Sequence, residues 1–281
     1  MSESSLKRWA DRGLLTVTRT AGGHRRIALR DAIRFVRERQ LKLLQPVAIG
    51  LPALDADVQV DVAEVDEALL AHLSAGRASA AWHLLMGQFL DGRSIAEIGD
   101  GPVKAALREL GSRWTHDSTG IFIEHRATDL CIQIIQQMRL LVNRSDTTFR
   151  AIGGAVGPDP YILPSMLVAC VISEQGGDAT NLGPNTPLDV LRTASLGQDE
   201  SPDLVWISTS VVKDPGELSR DISNFARECQ SAGVQVAVGG REAAQLSLDH
   251  VPGLTVHGSL AGFAELAQSI MKSGSPSATG E

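Results

Sequence analysis

The chain has 281 residues, 43% of them apolar and 21% charged, proportions that are ordinary for a globular protein of about two or three modest domains. No stretch reaches the ~18 uncharged apolar residues of a membrane-spanning helix, and the first residues do not resemble a signal peptide, so we expect a cytoplasmic protein without membrane contact. The three cysteines are odd in number and have no C-x-x-C spacing, which excludes a disulfide framework and a cysteine zinc site.

Positive charge is concentrated at one end of the chain. Residues 1–41 contain ten Lys or Arg and four Asp or Glu, a net charge of +6, whereas the whole chain carries −7. The remaining residues therefore carry −13. A basic segment on an acidic body is typical of a protein that contacts double-stranded DNA with one domain, because phosphates attract only the basic part.

Residues 1–44 are predicted to form a helix, a hairpin and a second helix. Gly22 and Gly23 permit a tight hairpin turn, and Gly13 ends the first helix. The predicted elements are a helix over Leu6–Ala10, strands over Thr16–Arg19 and Arg25–Leu29, and a helix over Asp31–Leu41. Residues 45–61 contain Pro46, Gly50 and Pro52 and are predicted to be a linker.

Residues 62–147 show helical periodicity without strand alternation. The predicted helices cover Val65–Leu73, Ala78–Leu90, Ile95–Leu110 and Glu124–Val142. Four helices of this length with short connections predict an antiparallel four-helix bundle.

From residue 148 the pattern changes to short strands alternating with helices. The predicted strands are Phe149–Gly153, Asp178–Asn181, Leu204–Ser208, Val234–Val238 and Leu254–Val256. The predicted helices are Ile162–Glu174, Leu188–Ser195, Pro215–Ala232, Ala243–Leu248 and Ala261–Lys272. Five such units predict a doubly wound, five-stranded parallel sheet over residues 148–272, with ligands at the carboxyl ends of its strands. Residues 273–281, rich in Ser, Gly and Pro, are predicted to be a disordered tail.

The segment from Leu6-Lys-Arg-Trp9 to Gly22-Gly-His-Arg-Arg26 resembles the winged helix-turn-helix of MerR-type transcription regulators. The resemblance implies a recognition helix in the major groove and a wing against the DNA backbone. The DNA-binding residues that it implies are Lys7, Arg8, Arg12, Arg19, Thr20, Gly22, Gly23, His24, Arg25 and Arg26. Alone, a Gly-Gly hairpin flanked by arginines would favour a solvated turn, but its combination with Lys7-Arg8-Trp9 favours DNA binding.

The similarity begins inside the motif, so the first helix that should pack against Leu6 and Trp9 is missing. Either the coding sequence starts upstream of Met1 or the module is incomplete, and we favour the upstream start. In that case upstream codons should encode a further apolar helix.

Trp114 is followed ten and eleven positions later by Glu124 and His125. This spacing is similar to the W-x9-EH signature of the helical cap in light- or cobalamin-responsive MerR regulators of the CarH/LitR kind. In that family the cap covers the upper face of a B12 corrinoid. The alternative is that Trp114 belongs to a bundle core and that Glu124 and His125 cap or pair at a helix start.

Residues 148–272 resemble the B12-binding fold of methionine synthase and the corrinoid mutases. The run Leu182-Gly-Pro-Asn-Thr-Pro-Leu188 is similar to the family's LGxxxP stretch. The family's E/D-x-H-x-x-G motif corresponds to Asp159–Pro164, where Tyr161 replaces the cobalt-ligating His and Pro164 replaces the Gly that leaves room for the nucleotide tail. The ligand-binding residues implied by the resemblance are Trp114, Glu124, His125, Asp159, Tyr161, Leu182, Gly183, Thr186, Ser208, Gly239 and Gly240, with no metal-ligating residue.

These observations predict a DNA-binding transcription regulator with a cobalamin-type sensor domain, responsive to ligand or light through its homo-oligomeric state. The ligand stays open: the family implies cobalamin, while Tyr161 leaves room for another tetrapyrrole or for none. A second interpretation is an interaction or antirepressor protein that keeps the B12 fold without a ligand or with another chromophore. A third is a corrinoid carrier subunit. No nucleophile–base pair or carboxylate pair stands out, so no enzymatic activity is predicted.

Overall fold

Helical periodicity up to residue 142 and strand–helix alternation from residue 149 give rise to two separate units. The computed structural model describes residues 3–43, 45–51, 64–113, 118–142, 147–197, 200–248 and 250–274. The first unit comprises Met1–Ser94 and Gly101–Asn143, and the second comprises Ile95–Asp100 and Arg144–Glu281. Most of the predicted linker (residues 52–61) and of the predicted tail (residues 275–281) lies outside the described residues.

The predicted order of helix, hairpin and helix at the start of the first unit is confirmed. Its elements are α1 (Glu3–Asp11), β1 (Thr18–Arg19), β2 (Arg25–Arg26) and α2 (Leu29–Glu38). Both strands are shorter than predicted, because the antiparallel pairing joins only Thr18 to Arg26 and Arg19 to Arg25. Helix α2 begins and ends before its predicted bounds, and Gln40 with φ +50° follows its end.

Trp9, for which a packing helix upstream of Met1 was expected, contacts helix α2. The rings of Trp9 and Phe35 lie 4.9 Å apart between centroids, and Phe35 is buried. Arg37, also on α2, donates from Nε to the carbonyl of Phe89 at 2.8 Å, and its guanidinium lies 3.9 Å from the Phe89 ring centroid. The basic segment is therefore packed into the same unit as the helices that follow.

The remaining helices of the first unit are α3 (Val65–Ser74), α4 (Ala78–Leu90), α6 (Lys104–Arg113) and α7 (Ser118–Val142), which begins six residues before its predicted start. Helix α3 packs against the other three through buried Leu69 and Leu73. Arg126 of α7 donates to the carbonyl of Ser74 at 2.8 Å. A cation there satisfies one of the free carbonyls at the end of α3.

The prediction of one helix over Ile95–Leu110 is wrong. Helix α5 (Ile95–Ile98) ends at a wide turn over Gly99–Val103, in which Gly101 leaves helical geometry at φ −91° and ψ −109°. Pro102 explains the break, since it has no backbone N–H and disfavours a helical conformation in the residue before it. Helix α5 belongs to the second unit, where the Ile95 N–H donates to the Glu174 carboxylate at 2.9 Å.

The predicted five-stranded parallel sheet of the second unit is confirmed. Its strands are β3 (Phe149–Ala155), β4 (Gly177–Asn181), β5 (Leu204–Ser208), β6 (Gln235–Gly239) and β7 (Leu254–His257), in the spatial order β4-β3-β5-β6-β7. The helices are α8 (Ile162–Glu174), α9 (Leu188–Leu196), α10 (Pro215–Ser231) and α11 (Leu260–Gly274). The helix predicted over Ala243–Leu248 is a single 3-10 turn (Ala243–Gln245), and Ser273 and Gly274, predicted as tail, belong to α11.

Alternation along β5 separates two apolar cores. Val205 and Ile207 pack on one face with Phe225 of α10. Leu204 and Trp206 pack on the other face with Phe263 of α11. Side chains two positions apart on a strand share a face, so Ser208 follows Trp206 on the α8/α11 face, at the carboxyl edge of the sheet.

Within the described ranges, no helix is both long and apolar enough to cross a membrane.

The three cysteines are buried. Burial raises the pKa of the Cys131 thiol to about 12, and burial together with Glu228 raises that of Cys229 to about 12. At such a pKa only ~10⁻⁴ of each thiol is ionised near pH 8, and the thiolate is the reactive form.

We expect iodoacetamide to leave Cys131 and Cys229 unmodified in the native protein and to label both in guanidinium, as mapped by peptide mass spectrometry. Labelling at equal rates in both conditions would contradict this.

Candidate ligand site at the carboxyl edge of the sheet

The strand order defines where a ligand should bind in the second unit. Strands β3 and β5 are neighbours at the centre of the sheet, and the chain leaves β3 toward one edge and β5 toward the other. In parallel sheets the loops at such a switch point diverge and leave a crevice at the carboxyl ends of the strands. Here the crevice is bordered by the loop after β3 (residues 156–161) and the loop after β5 (residues 209–214).

Asp159 holds these two loops together. Its side chain is fully buried, and its carboxylate accepts the N–H of Tyr161 at 3.0 Å and the N–H of Ser210 at 2.5 Å. Its carbonyl also accepts the N–H of Asn185 at 2.8 Å. Hydrogen bonds from backbone N–H groups to a carboxyl group are short and strong. Asp159, predicted beside a ligand, is therefore a clamp between loops on either side of the crevice.

Two hydroxyl groups at the same place have no hydrogen-bond partner among the described residues. Ser208 and Ser210 are 3% and 4% exposed, and neither Oγ makes a hydrogen bond to any described residue. Thr209 between them donates to the carbonyl of Gly239 at 3.1 Å. Buried polar groups are nearly always paired, so the two hydroxyls at the carboxyl edge of the sheet are candidates for contact with a ligand, whereas the likewise unpaired hydroxyl of Ser173 lies within α8. Ser208 was predicted; Ser210 was missed, although it follows the strand in the run Ser-Thr-Ser.

Tyr161 lies at the exposed rim of the crevice. It precedes α8, and its side chain is among the exposed large ones of the molecule, at 41%. The guanidinium of Arg241 lies 5.5 Å from the Tyr161 ring centroid and donates to the carbonyl of Ser210 at 3.0 Å. Arg241 also pairs with Glu242 at 3.2 Å. An exposed ring stacked on a guanidinium offers a flat face to a large ligand, and sequence reasoning did not find Arg241.

The loop after β4 supports the edge from one side. Gly183, at φ +89°, donates its N–H to the Asn181 side chain at 3.1 Å, and Leu182 packs against the α9/α10 core. Thr186 is buried; its hydroxyl donates to the Gly183 carbonyl at 3.1 Å and its N–H to the Ala155 carbonyl at 2.9 Å. Leu182, Gly183 and Thr186 thus build a turn that is fastened to the end of β3.

Gly239 and Gly240 were predicted to let a ligand approach the backbone. The structure gives each an internal reason. A Cβ on Gly240, at φ +109°, would lie 2.5 Å from the carbonyl oxygen of Thr209, and a Cβ on Gly239 would lie 2.7 Å from the Phe263 ring. These glycines bring the end of β6 against the loop after β5 and against α11.

The cap residues predicted in the first unit are only partly described. Glu124 and His125 lie on α7, with 3.6 Å between the Glu124 carboxylate and Nε2 of His125, whose side chain is 76% exposed. The neighbouring Ile121 and Phe122 are exposed apolar side chains. Trp114 lies outside the described residues. Across the described ranges no group of three or more His, Cys, Asp and Glu side chains could hold a metal ion.

The predicted DNA-binding residues lie on α1 and the hairpin, and most are exposed. Arg25 is engaged internally, since it pairs with Asp11 at 2.5 Å and donates to the Lys7 carbonyl at 3.3 Å. Thr20 belongs to the turn: its hydroxyl accepts the His24 N–H at 3.2 Å and its carbonyl accepts the Gly23 N–H at 2.8 Å. With the other described residues, Arg8, Arg12, Arg19 and Arg26 form no ion pair. Gly22 is exposed with them.

Replacing the clamp carboxylate should destabilise the second unit. In Asp159→Asn the side-chain NH2 group faces a backbone N–H, and one hydrogen bond is lost because both groups are donors. We expect the free energy of unfolding to fall by about 2–3 kcal/mol. The control is Asp189→Asn, a carboxylate with an 89% exposed side chain that pairs with Arg192, where the loss should stay below about 0.5 kcal/mol. Urea unfolding of both variants measures this, and equal losses would contradict the role of Asp159.

No protein-family model and no curated protein matches the chain. Solved structures do. The monomethylamine corrinoid protein of Methanosarcina barkeri superposes with a TM-score of 0.56 at 12% identity, covering 75% of this chain and 100% of that chain. The methanol:cobalamin methyltransferase complex of M. barkeri (TM-score 0.37, 12% identity, 97% and 93% covered) and a cobalamin-binding protein of Desulfitobacterium hafniense DCB-2 (0.34, 12%, 73% and 97%) match more loosely. The first similarity shows the fold: this chain shares its architecture with a corrinoid protein.

Proposed function

We propose that the second unit binds a corrinoid of the cobalamin type at the carboxyl edge of its sheet, and that the first unit binds DNA, so that the chain is a corrinoid-responsive regulator. The observation that carries the proposal is the pair of buried, unpaired hydroxyls of Ser208 and Ser210, at the switch point of a fold shared with a corrinoid protein. We further propose that it acts as a homo-oligomer, because linked DNA-binding units multiply weak single contacts.

The residues at the rim fit a corrin ring. Corrin side chains end in amides, which can pair with neutral hydroxyls such as those of Ser208 and Ser210. The exposed Tyr161 ring, backed by Arg241, offers a flat surface of the kind that large planar ligands use. When bound, a corrinoid supplies a cobalt ion whose bond to an upper alkyl group can be broken by a chemical reaction or by light.

This chain's own residues offer no imidazole to that metal at the position where the resemblance expects one. Tyr161 stands there, and its phenol has no nitrogen donor. The Asp159 carboxylate, which would orient such a His, already accepts two backbone N–H groups. We therefore propose binding through the ring, without a protein ligand below the cobalt.

The DNA half of the proposal rests on Arg8, Arg12, Arg19 and Arg26. Their side chains are exposed and form no ion pair with described residues, so they are available to phosphates. The Arg25–Asp11 pair holds the hairpin against α1 and thereby orients both elements. The internal pair positions the remaining arginines of the segment, and these can then contact a DNA backbone.

A second candidate function is a corrinoid carrier subunit. It is favoured by one observation, the superposition that covers the whole of the monomethylamine corrinoid protein. Both candidates predict corrinoid binding, and they differ in whether the basic segment binds DNA. An electrophoretic mobility shift with the gene's own promoter separates them.

The ligand half predicts a dependence on the two hydroxyls. Titration with hydroxocobalamin or adenosylcobalamin should change the absorption spectrum, and Ser208→Ala or Ser210→Ala should each weaken binding about 3–10-fold, the value of one net hydrogen bond. Ser173→Ala is the matched control, since its hydroxyl is also buried and unpaired but lies within α8, and it should leave affinity unchanged. No spectral change with cobalamin would sink the corrinoid proposal. Haem or biliverdin would then be tested, and no binding at all would favour the ligand-free interpretation.

The DNA half predicts that Arg8→Ala and Arg26→Ala each lower the slope of log affinity against log salt by about one, because each removes one phosphate contact. Arg220→Ala on α10, also a surface arginine, should leave the slope unchanged. Fluorescence anisotropy with promoter DNA at several salt concentrations measures this. Unchanged slopes for both variants, or no DNA binding, would favour the carrier function.

A further inference from the structure

A ligand at the carboxyl edge can extend into the second unit by two routes. One passes between the sheet and α8/α11, and the other between the sheet and α9/α10. Cobalamin carries such an extension, a nucleotide loop below its ring. The side chains along each route therefore decide whether the loop enters the protein.

The α8/α11 route is filled by Trp206. This side chain lies on the same face as Ser208, directly below it on β5, and is fully buried. A Cβ on the facing Gly153 would lie 2.2 Å from the indole, so the ring lies flat against the β3 backbone. The Phe263 ring of α11 occupies the neighbouring part of this route, since a Cβ on Gly239 would lie 2.7 Å from it.

Trp206 is held in this position by a chain of hydrogen bonds. Its indole N–H donates to the hydroxyl of Ser165 on α8 at 3.0 Å, and that hydroxyl donates to the Asn181 side chain on β4 at 2.8 Å. Moving the indole aside would leave its buried N–H without an acceptor, which is costly. The ring is therefore a fixed part of the core.

The α9/α10 route offers no alternative. Its interior is formed by Val205, Ile207, Val238 and Phe225, all fully buried. A ribose and a charged phosphate would lose their hydration there without gaining hydrogen-bond partners.

We propose that the second unit recognises the corrin ring alone, and that Trp206 is the specificity-determining residue that keeps the nucleotide loop outside the protein. This rests on the proposed corrinoid binding. The loop then remains in solvent with its base still on the cobalt. Affinity depends on the ring and its amides and is independent of the lower base.

The test compares aquocobalamin with aquocobinamide, which has the same ring without the nucleotide, on the full chain by equilibrium dialysis and absorption spectroscopy. We expect dissociation constants within about threefold of each other, and a bound cobalamin spectrum with the base still coordinated. Cobalamin binding tenfold or more tightly than cobinamide, with its base displaced, would overturn the inference and leave the proposed function standing. Binding of neither corrinoid would overturn both.

Variants at Trp206 give a second measurement. Trp206→Ala removes the ring and should shift the preference at least tenfold toward cobalamin, with loss of the base-coordinated spectrum. Trp206→Phe keeps an aromatic ring in the route and should retain equal affinities, with circular dichroism confirming that each variant is folded. If Trp206→Ala is folded and still does not prefer cobalamin, Trp206 is not the residue that excludes the loop, and the inference is overturned. The wild-type comparison decides the inference even where Trp206→Ala does not fold.

Discussion

The second unit depends on one buried contact, the indole of Trp206 against the backbone of Gly153. Only glycine fits on β3 at this point, and only a large side chain on β5 fills the space that glycine leaves. A buried indole N–H needs an acceptor, and Ser165 and Asn181 complete the chain. Through it, β5 positions α8 and the end of β4, on one side of the crevice where a ligand is expected.

Polar pairing at the carboxyl edge then localises the site. Asp159, Thr186 and Thr209 are buried polar side chains with internal partners. Asp159 joins the loops after β3 and β5, Thr186 closes the turn after β4, and Thr209 joins the loop after β5 to the end of β6. Against this background the unpaired hydroxyls of Ser208 and Ser210 stand out. The edge is therefore rich in fixed internal bonds, and the two unpaired hydroxyls are where the proposed ligand would find hydrogen-bond partners.

In the first unit, the net charge of the basic segment overstates the number of arginines available to DNA. Arg25 binds Asp11, and Arg37 binds carbonyls of Phe89 and Arg93. These two side chains connect α1, the hairpin, α2 and α4. For the proposed DNA binding, these two arginines are lost as phosphate contacts, but their internal bonds fix the orientation of the arginines that remain exposed.

The sequence by itself determined the order of the elements and the parallel sheet, because hydrophobic periodicity is a local property of the chain. It also predicted where a ligand should bind, since ligands bind where parallel strands end. Tertiary structure alone decided the break after α5, the internal roles of Asp159, Gly239 and Gly240, and the contact of Trp9 with Phe35. The sequence pattern indicated only that Trp206 lies on a strand, and its role follows from its position against Gly153. Such roles depend on contacts between residues that are far apart in the sequence. The acceptor of a buried donor is determined by this long-range packing, and no local sequence pattern encodes it.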